Sequence, residues 1–244
     1  MEKKDIHLEN FKQALASTVK SISEISDCTI NFGEQTKKDN RSVNIPEIKK
    51  LEKLKDFSSI RAKADSEALR LRYSNIDVFN LHKPKGNNAK KLYEIAEKIR
   101  YEKIGCDHFK GIRKNLLENQ NELVGKINPT ESVFDSYLRS FLFQVKEKKS
   151  SDNKTKKIRK NLDQNFKKNL ETLKKNLRNQ EKFNQIISKI ISRMDIEDKE
   201  IYEDTSEKEK ETESLNNQQQ EESQSKLQSE KENNEFLDVD ISNI

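Results

Sequence analysis

The chain is 244 residues long and carries a formal net charge of +5; 37% of it is charged and 31% hydrophobic, with 5 Gly, 3 Pro and no Trp. A sequence so polar buries a core only if its apolar residues are gathered into stripes, as on amphipathic helices, which argues against a mostly β protein. No apolar run approaches the ~18 residues of a membrane-spanning helix, and Met1-Glu2-Lys3-Lys4-Asp5 leads into no signal-peptide block, so a soluble cytoplasmic protein is expected.

In chain order, Leu8, Phe11, Leu15, Val19, Ile22 and Ile25 recur at three and four and predict a first helix. Cys28, Ile30 and Phe32 alternate before Gly33 and predict one short strand near 28–32, with the polar run from Gly33 to Ser42 as a loop. Pro46 suits the first turn of a second helix, on which Ile48, Leu51, Leu54, Phe57, Ile60, Ala64, Ala68 and Leu71 keep register to an end near Asn75. Pro84, Gly86 and Asn87-Asn88 break the chain, and a third helix carries Leu92, Ile95 or Ala96, Ile99 and Ile104 up to Gly105, a natural residue just past a helix end. Phe109, Ile112, Leu116 and Leu117 begin another. After Asn128-Pro129-Thr130, the apolar set Val133, Tyr137, Leu138, Phe141, Leu142 and Val145 predicts a short helix broken at Ser150–Asn153. Ile158, Leu162, Phe166, Leu170, Leu173 and Leu177 then form a narrow stripe on a long Lys-rich helix, continued with a phase shift by Phe183, Ile187, Ile190, Ile191 and Met194.

The modest net charge hides a division. Residues 1–194 hold 43 Lys and Arg against 26 Asp and Glu, net +17, whereas residues 195–244 hold 5 against 17, net −12. The acidic segment has too few apolar residues to offset the entropy of ordering it and reads as a disordered tail or linker. The expected architecture is all-α: an irregular multi-helix bundle over 1–194, with that tail over 195–244.

Motifs for catalysis are mostly missing. No Gly-x-x-x-x-Gly-Lys-Ser/Thr cradle for phosphates occurs, nor a Gly-x-Gly-x-x-Gly or Gly-x-Ser-x-Gly. Cys28 and Cys106 form no metal-type pair and fit a reducing compartment; Cys106 and His108 flank Asp107 but lack the second pair that a structural zinc needs. His7 and His82 stand singly.

The segment from Ala62 to Leu116 is the most specific. Its charges sit at fixed places inside apolar helical patterns: Asp65, Arg70 and Arg72 on one helix, His82 after it, and Glu97, Arg100 and Glu102 on the next. Arg70 and Arg72 diverge around the axis, so at most one shares the side of Asp65, while Glu97 and Arg100 form an i, i+3 pair and Glu102 falls on another face. Spacing alone admits two readings, surface ion pairs worth little each or an arginine patch for a carboxylate-bearing partner.

The block Ala64-Asp65-Ser66 with Ala68-Leu69-Arg70-Leu71-Arg72, the later His82, then Glu97-x-x-Arg100-x-Glu102-x-x-Gly105 and Gly111-x-x-x-Asn115-Leu116, resembles the amino-terminal domain of the CobT-type subunit of aerobic cobaltochelatase. Phe11-Lys12-x-Ala14-Leu15-Ala16 and Phe32-Gly33 fit the same family; the likeness is best over residues 10–120, and the acidic tail agrees with that family's acidic linker. The resemblance implies a role in ATP-dependent insertion of cobalt(II) into hydrogenobyrinic acid a,c-diamide during aerobic cobalamin synthesis. It further implies that this chain is the non-ATPase partner of an AAA+ subunit and of a large corrin-binding subunit, the complex using ATP and magnesium. No cofactor is expected on this chain itself. Asp65, Arg70, Arg72, His82, Glu97, Arg100 and Glu102 become interface or domain-organising residues, with no catalytic or metal-binding role. Members of the family continue into a von Willebrand factor A-like domain with an Asp-x-Ser-x-Ser metal site; Asp238-Val239-Asp240-Ile241-Ser242 does not fit that motif, so a fragment, a truncated product or one half of a split subunit is expected. Two other readings stay open: a helical coiled-coil adaptor, from the stripe Ile158–Leu177, and a basic nucleic-acid-binding protein, from the Lys-rich stretch 146–182, although signatures of RNA reading are missing.

Overall fold

A computed structural model describes residues 3–33, 41–48, 54–123, 128–145 and 152–194, all within one compact unit. The predicted tail, 195–244, lies outside the described residues.

Helix α1 (Lys3–Ser23) buries Leu15, Val19 and Ile22 and packs along α2 (Leu54–Tyr73), with the rings of Phe11 and Phe57 meeting edge to face at 5.0 Å. It stops where Glu24 takes a left-handed φ of 59° and the Ser23 hydroxyl accepts from Ile25 N at 3.3 Å. The predicted strand is present as β1 (Thr29–Phe32), but it does not stand alone. It pairs in parallel with β2 (Ser42–Ile45), in a register that sets Thr29 opposite Ser42 and Phe32 opposite Ile45. The second strand escaped prediction because Val43 and Ile45, which bury its inner face, are two apolar residues in a polar stretch. Gly33, at φ +90°, leaves β1 in a conformation that glycine tolerates, and its N–H donates to Ile45 O at 2.9 Å.

Pro46 does not open a helix. Residues 46–48 are irregular, α2 runs from Leu54, and the expected helical residue Leu51 falls outside the described residues. The helix ends at Tyr73, close to the expected Asn75, and Asn75 then caps the unpredicted short helix α3 (Ile76–Leu81) by accepting from Asp77 N and Val78 N at 2.8 and 3.2 Å. No residue of α3 is fully buried, so no stripe announced it.

Gly105 is not a helix stop. Helix α4 (Asn87–His108) continues through it, and a Cβ there would lie 2.8 Å from Leu69 Cγ and overlap the Leu69 methyls. The glycine is what lets α4 cross α2 so closely. Helix α5 (Lys110–Leu123) follows after Phe109 takes an extended conformation, and α6 (Pro129–Leu142) begins at an Asn128 cap with Pro129 in its first turn.

The Lys-rich segment is not one long helix. It forms α7 (Asn153–Phe166), α8 (Leu170–Lys175) and α9 (Gln180–Ile191). Asparagines stand at both breaks, and their amides compete with the backbone: Asn169 Nδ2 donates to Asn165 O at 3.4 Å and Asn176 Nδ2 to Thr172 O at 2.8 Å. Asn179 closes the second break by accepting from Lys182 N at 3.0 Å. The apolar stripe therefore folds back on the bundle: Phe166 meets Phe134 of α6 at 5.4 Å, and α9 lays Phe183, Ile187, Ile190 and Ile191 against α4 and α3. The all-α reading holds, with the small parallel pair as its addition, and α2 and α4 form the centre on which α1, α5, α6 and α9 pack. Among the described residues no helix is long and apolar enough to cross a membrane.

Candidate functional site

Six of the seven singled-out residues belong to the packed α2–α4 centre and its rim. Asp65, Glu97, Arg100 and Glu102 are each at least 97% buried, so they are not surface pairs, and their polar atoms are satisfied from within the chain. Asp65 touches neither Arg70 nor Arg72; Arg61 Nε donates to one of its oxygens at 3.0 Å and Asn115 Nδ2 of α5 to the other at 2.9 Å. Asp65 thus fastens α5 to α2.

Arg100 is the most extensively bonded. Its Nε and Nη2 grip both oxygens of Glu97 at 2.8 Å, Nη1 donates to Leu177 O at 2.9 Å, and Nη2 also reaches Tyr73 O at the last residue of α2. A cation at a helix C-terminus complements the partial negative charge of its carbonyls. Glu97 accepts in addition from Ser74 Oγ at 2.7 Å and from Gln180 Nε2 at 3.0 Å, while Gln180 also pairs with the backbone N–H and C=O of Asn75 at 2.8 and 3.0 Å. The cluster therefore latches the start of α9 onto the α2–α3 turn.

One turn and a half along α4, Glu102 sits on the opposite face. Ser66 Oγ donates to it at 2.6 Å and Arg139 Nη1 of α6 pairs with it at 2.6 Å, while Arg139 Nε grips Asp135 at 3.0 Å. Burial would raise the Glu102 carboxyl, but Arg139, Lys98 and the Ser66 hydroxyl together hold it below its ordinary value. The same balance raises Arg139: burial pulls it down, and Glu102 and Asp135 outweigh that. Glu67, near the middle of α2, is taken down to about 2, because Lys63 and Arg70 more than offset its burial. Nearby Tyr101 is pushed well above its usual range by burial and then by Glu102 and Glu67. Cys106 is driven up to about 12 by burial and Glu102, which leaves a neutral thiol rather than a nucleophile or ligand, and His108 stacks edge to face on Phe109 at 4.5 Å.

Arg70 and Arg72 diverge as expected. Arg70 Nε pairs with Glu67 at 2.9 Å and Nη2 donates to Ser42 O at 2.9 Å, tying β2 to α2. Arg72 Nη1 donates to Ile22 O at 2.8 Å and Nη2 pairs with the exposed Glu24 at 2.6 Å, its guanidinium also lying 5.4 Å from the rings of Tyr73 and Phe109. Both arginines reach an open cleft of about 440 Å³, lined by residues 70–75 and Gln180. His82 stands apart at the end of α3, its Nε2 buried with no hydrogen-bond partner among the described residues.

Sequence reading missed Glu67, Arg139 and Gln180. Arg139 had a signal, a lone arginine beside Leu138 in the apolar stripe of α6, where a charge is tolerated only if paired. Gln180 had none, because its partners Ser74 and Asn75 lie 106 and 105 residues away. Among the described residues no three His, Cys, Asp or Glu side chains gather as a metal site would require. The arrangement positions helices and presents a small arginine-rimmed cleft. No solved structure matches the chain at a significant level. A family model described as cobalamin biosynthesis protein CobT matches residues 5–238, which takes in all of the elements above but the first two residues of α1. The chain thus belongs to the cobalamin biosynthesis protein CobT family, and with it to the cobaltochelatase system.

Proposed function

We propose that the chain is the non-ATPase subunit of an ATP-dependent cobaltochelatase, a cytoplasmic complex that inserts cobalt(II) into hydrogenobyrinic acid a,c-diamide. Its direct partner is the AAA+ subunit, and through it the large corrin-binding subunit; ATP, magnesium and cobalt(II) are handled by those partners and not by this helical body. The observation that carries the reading is the family match over residues 5–238. The charged network supports a scaffold role, since four of its members are spent on holding helices together, which leaves the cleft rimmed by Arg70 and Arg72 as the part of the site that a partner can reach.

The test is recovery of the AAA+ subunit by the tagged full chain with ATP and magnesium, at low and raised salt. Stoichiometric, salt-resistant recovery supports the reading, as does its weakening in Arg70→Ala/Arg72→Ala with helicity intact by circular dichroism. Recovery of nucleic acid in place of the AAA+ subunit would overturn it.

A further inference from the structure

The scaffold role leaves one feature without employment. Residues 152–194 hold 13 Lys and Arg against 4 Asp and Glu, net +9 of the +17 in residues 1–194. Three of the four acids are already engaged, Asp152 as the cap of α7, Asp163 with Arg159 at 3.7 Å and Glu181 with Gln185 Nε2 at 3.5 Å. On α7 the side chains of Lys156, Lys157 and Lys160 fall on an arc of about 100°, opposite the buried Leu162 and Phe166, at about 100° per residue. On α9, Lys182 and Lys189 lie seven residues apart on one exposed face, about 10 Å along the axis. All five lysines are exposed, and among the described residues none of their ammonium groups makes a hydrogen bond or ion pair. Elsewhere in the fold exposed lysines do find carboxylates, as Lys91 does with Glu131 at 3.4 Å and Lys114 with Glu118 at 4.0 Å.

We infer that the outer faces of α7 and α9 are a docking surface for an acidic protein surface. An acidic protein fits better than a nucleic acid for two reasons. The only aromatics of residues 152–194, Phe166 and Phe183, are fully buried, so no ring is offered for base stacking. The cations are ten lysines to three arginines, so few of the planar forks that read guanine edges are present. Like charges held unpaired on rigid helices raise the association rate with a complementary surface more than they slow its release. The inference rests on the proposed function only for the identity of the partner, an acidic face of the AAA+ subunit.

The test uses the full chain and the variant Lys156→Glu/Lys157→Glu/Lys160→Glu/Lys182→Glu/Lys189→Glu, with Lys→Gln at the same five positions should the reversal disturb helicity. Association rate with the AAA+ subunit and affinity for poly-L-glutamate are measured at about 50 mM and about 200 mM salt, with duplex DNA of matched charge as a third probe. The variant is expected to associate about tenfold or more slowly at the lower salt, to lose polyglutamate binding, and to approach the unmodified chain at the higher salt. Equal rates and equal polyglutamate affinities in the two proteins would overturn the inference. So would DNA binding about tenfold tighter than polyglutamate, which would assign the faces to nucleic acid. If the unmodified chain ignores the AAA+ subunit while polyglutamate still separates it from the variant, the proposed partner is wrong and the acidic-docking face stands.

Discussion

Replacing Arg100 by Met removes the central cation of the network at nearly constant volume. The guanidinium is 1% exposed, so what it leaves behind is left in the interior. Glu97 would keep only Ser74 and Gln180 as donors, and the carbonyls of Tyr73 and Leu177 would lose theirs. Breaking a buried pair by deleting one partner costs about 3–5 kcal/mol, because an uncompensated charge stays in a poor solvent. Against a total stability of roughly 5–15 kcal/mol, that is about a fifth or more. Neutralising the stranded carboxylate should return a large part: Glu97→Gln in the Arg100→Met background is expected to be milder than the sum of the single changes by at least about 1.5 kcal/mol. Arg100→Lys keeps the charge but cannot reach both Glu97 oxygens and two carbonyls from one ammonium, so it should fall between. The assay is urea unfolding followed by circular dichroism, with an unchanged slope required before midpoints are compared. An Arg100→Met loss under about 1 kcal/mol, additive with Glu97→Gln, would show that the pair behaves as an exposed one and would refute the argument.

Glu67 sets an acid limit. Its folded pKa lies at about 2 against an ordinary 4.5, so its contribution of about 3 kcal/mol is complete above pH 4.5 and is lost as pH falls toward 2; Glu67→Gln should flatten that limb in pH-dependent unfolding, and an unchanged profile would reject it. Two helical glycines among the described residues should respond with opposite signs. Gly105→Ala forces a methyl into Leu69 and should destabilise by about 1–3 kcal/mol, whereas Gly111→Ala, with nothing within 4 Å of its added carbon, should stabilise by about 0.5–1 kcal/mol; urea midpoints moving the same way would contradict the packing. Asn184 buries both polar atoms of its amide with no partner among the described residues, so Asn184→Leu should raise stability by about 1 kcal/mol, and a clear drop in Tm would reveal an internal water held there.

Helix existence was legible wherever apolar residues kept a period of three and four over several turns, as from Leu8 to Ile22 or Val133 to Leu142. What failed was local competition and distant pairing. The break between α8 and α9 is made by asparagine amides bonding their own backbone, which a stripe of Leu and Phe does not report. Strand β2 exists because β1 lies beside it, and residue 105 of α4 is a glycine because Leu69 of another helix needs the room; neither cause is local. At the site, spacing separated Arg70 from Arg72 and joined Glu97 to Arg100 correctly, since both relations lie within one helix. It could not tell that those charges point inward, because that depends on α6, α9 and β2, which supply Arg139, Gln180 and the carbonyl of Ser42.

That inward placement bears on what the family resemblance reports. The charged residues that carry it are mostly enclosed by this chain, so they bear on how its helices are locked and not on which ligand is met. Buried ionic networks are seldom more stable than apolar packing of the same volume, and their use here is directional: a misplaced α9 would leave Glu97 without Gln180 and Arg100 without Leu177, an error that a greasy surface would tolerate. At the cleft the network opens to solvent around Arg72. There Arg72 holds the Ile22 carbonyl, within the chain, and Glu24, whose side chain is 67% exposed and held by that one exposed ion pair. A partner carboxylate entering the cleft can displace Glu24 at little expense, since exposed pairs are worth at most about 1 kcal/mol, while Arg70 stays committed to Glu67 and Ser42. The geometry thus divides one motif into a fixed half that builds the bundle and an exchangeable arginine at its rim.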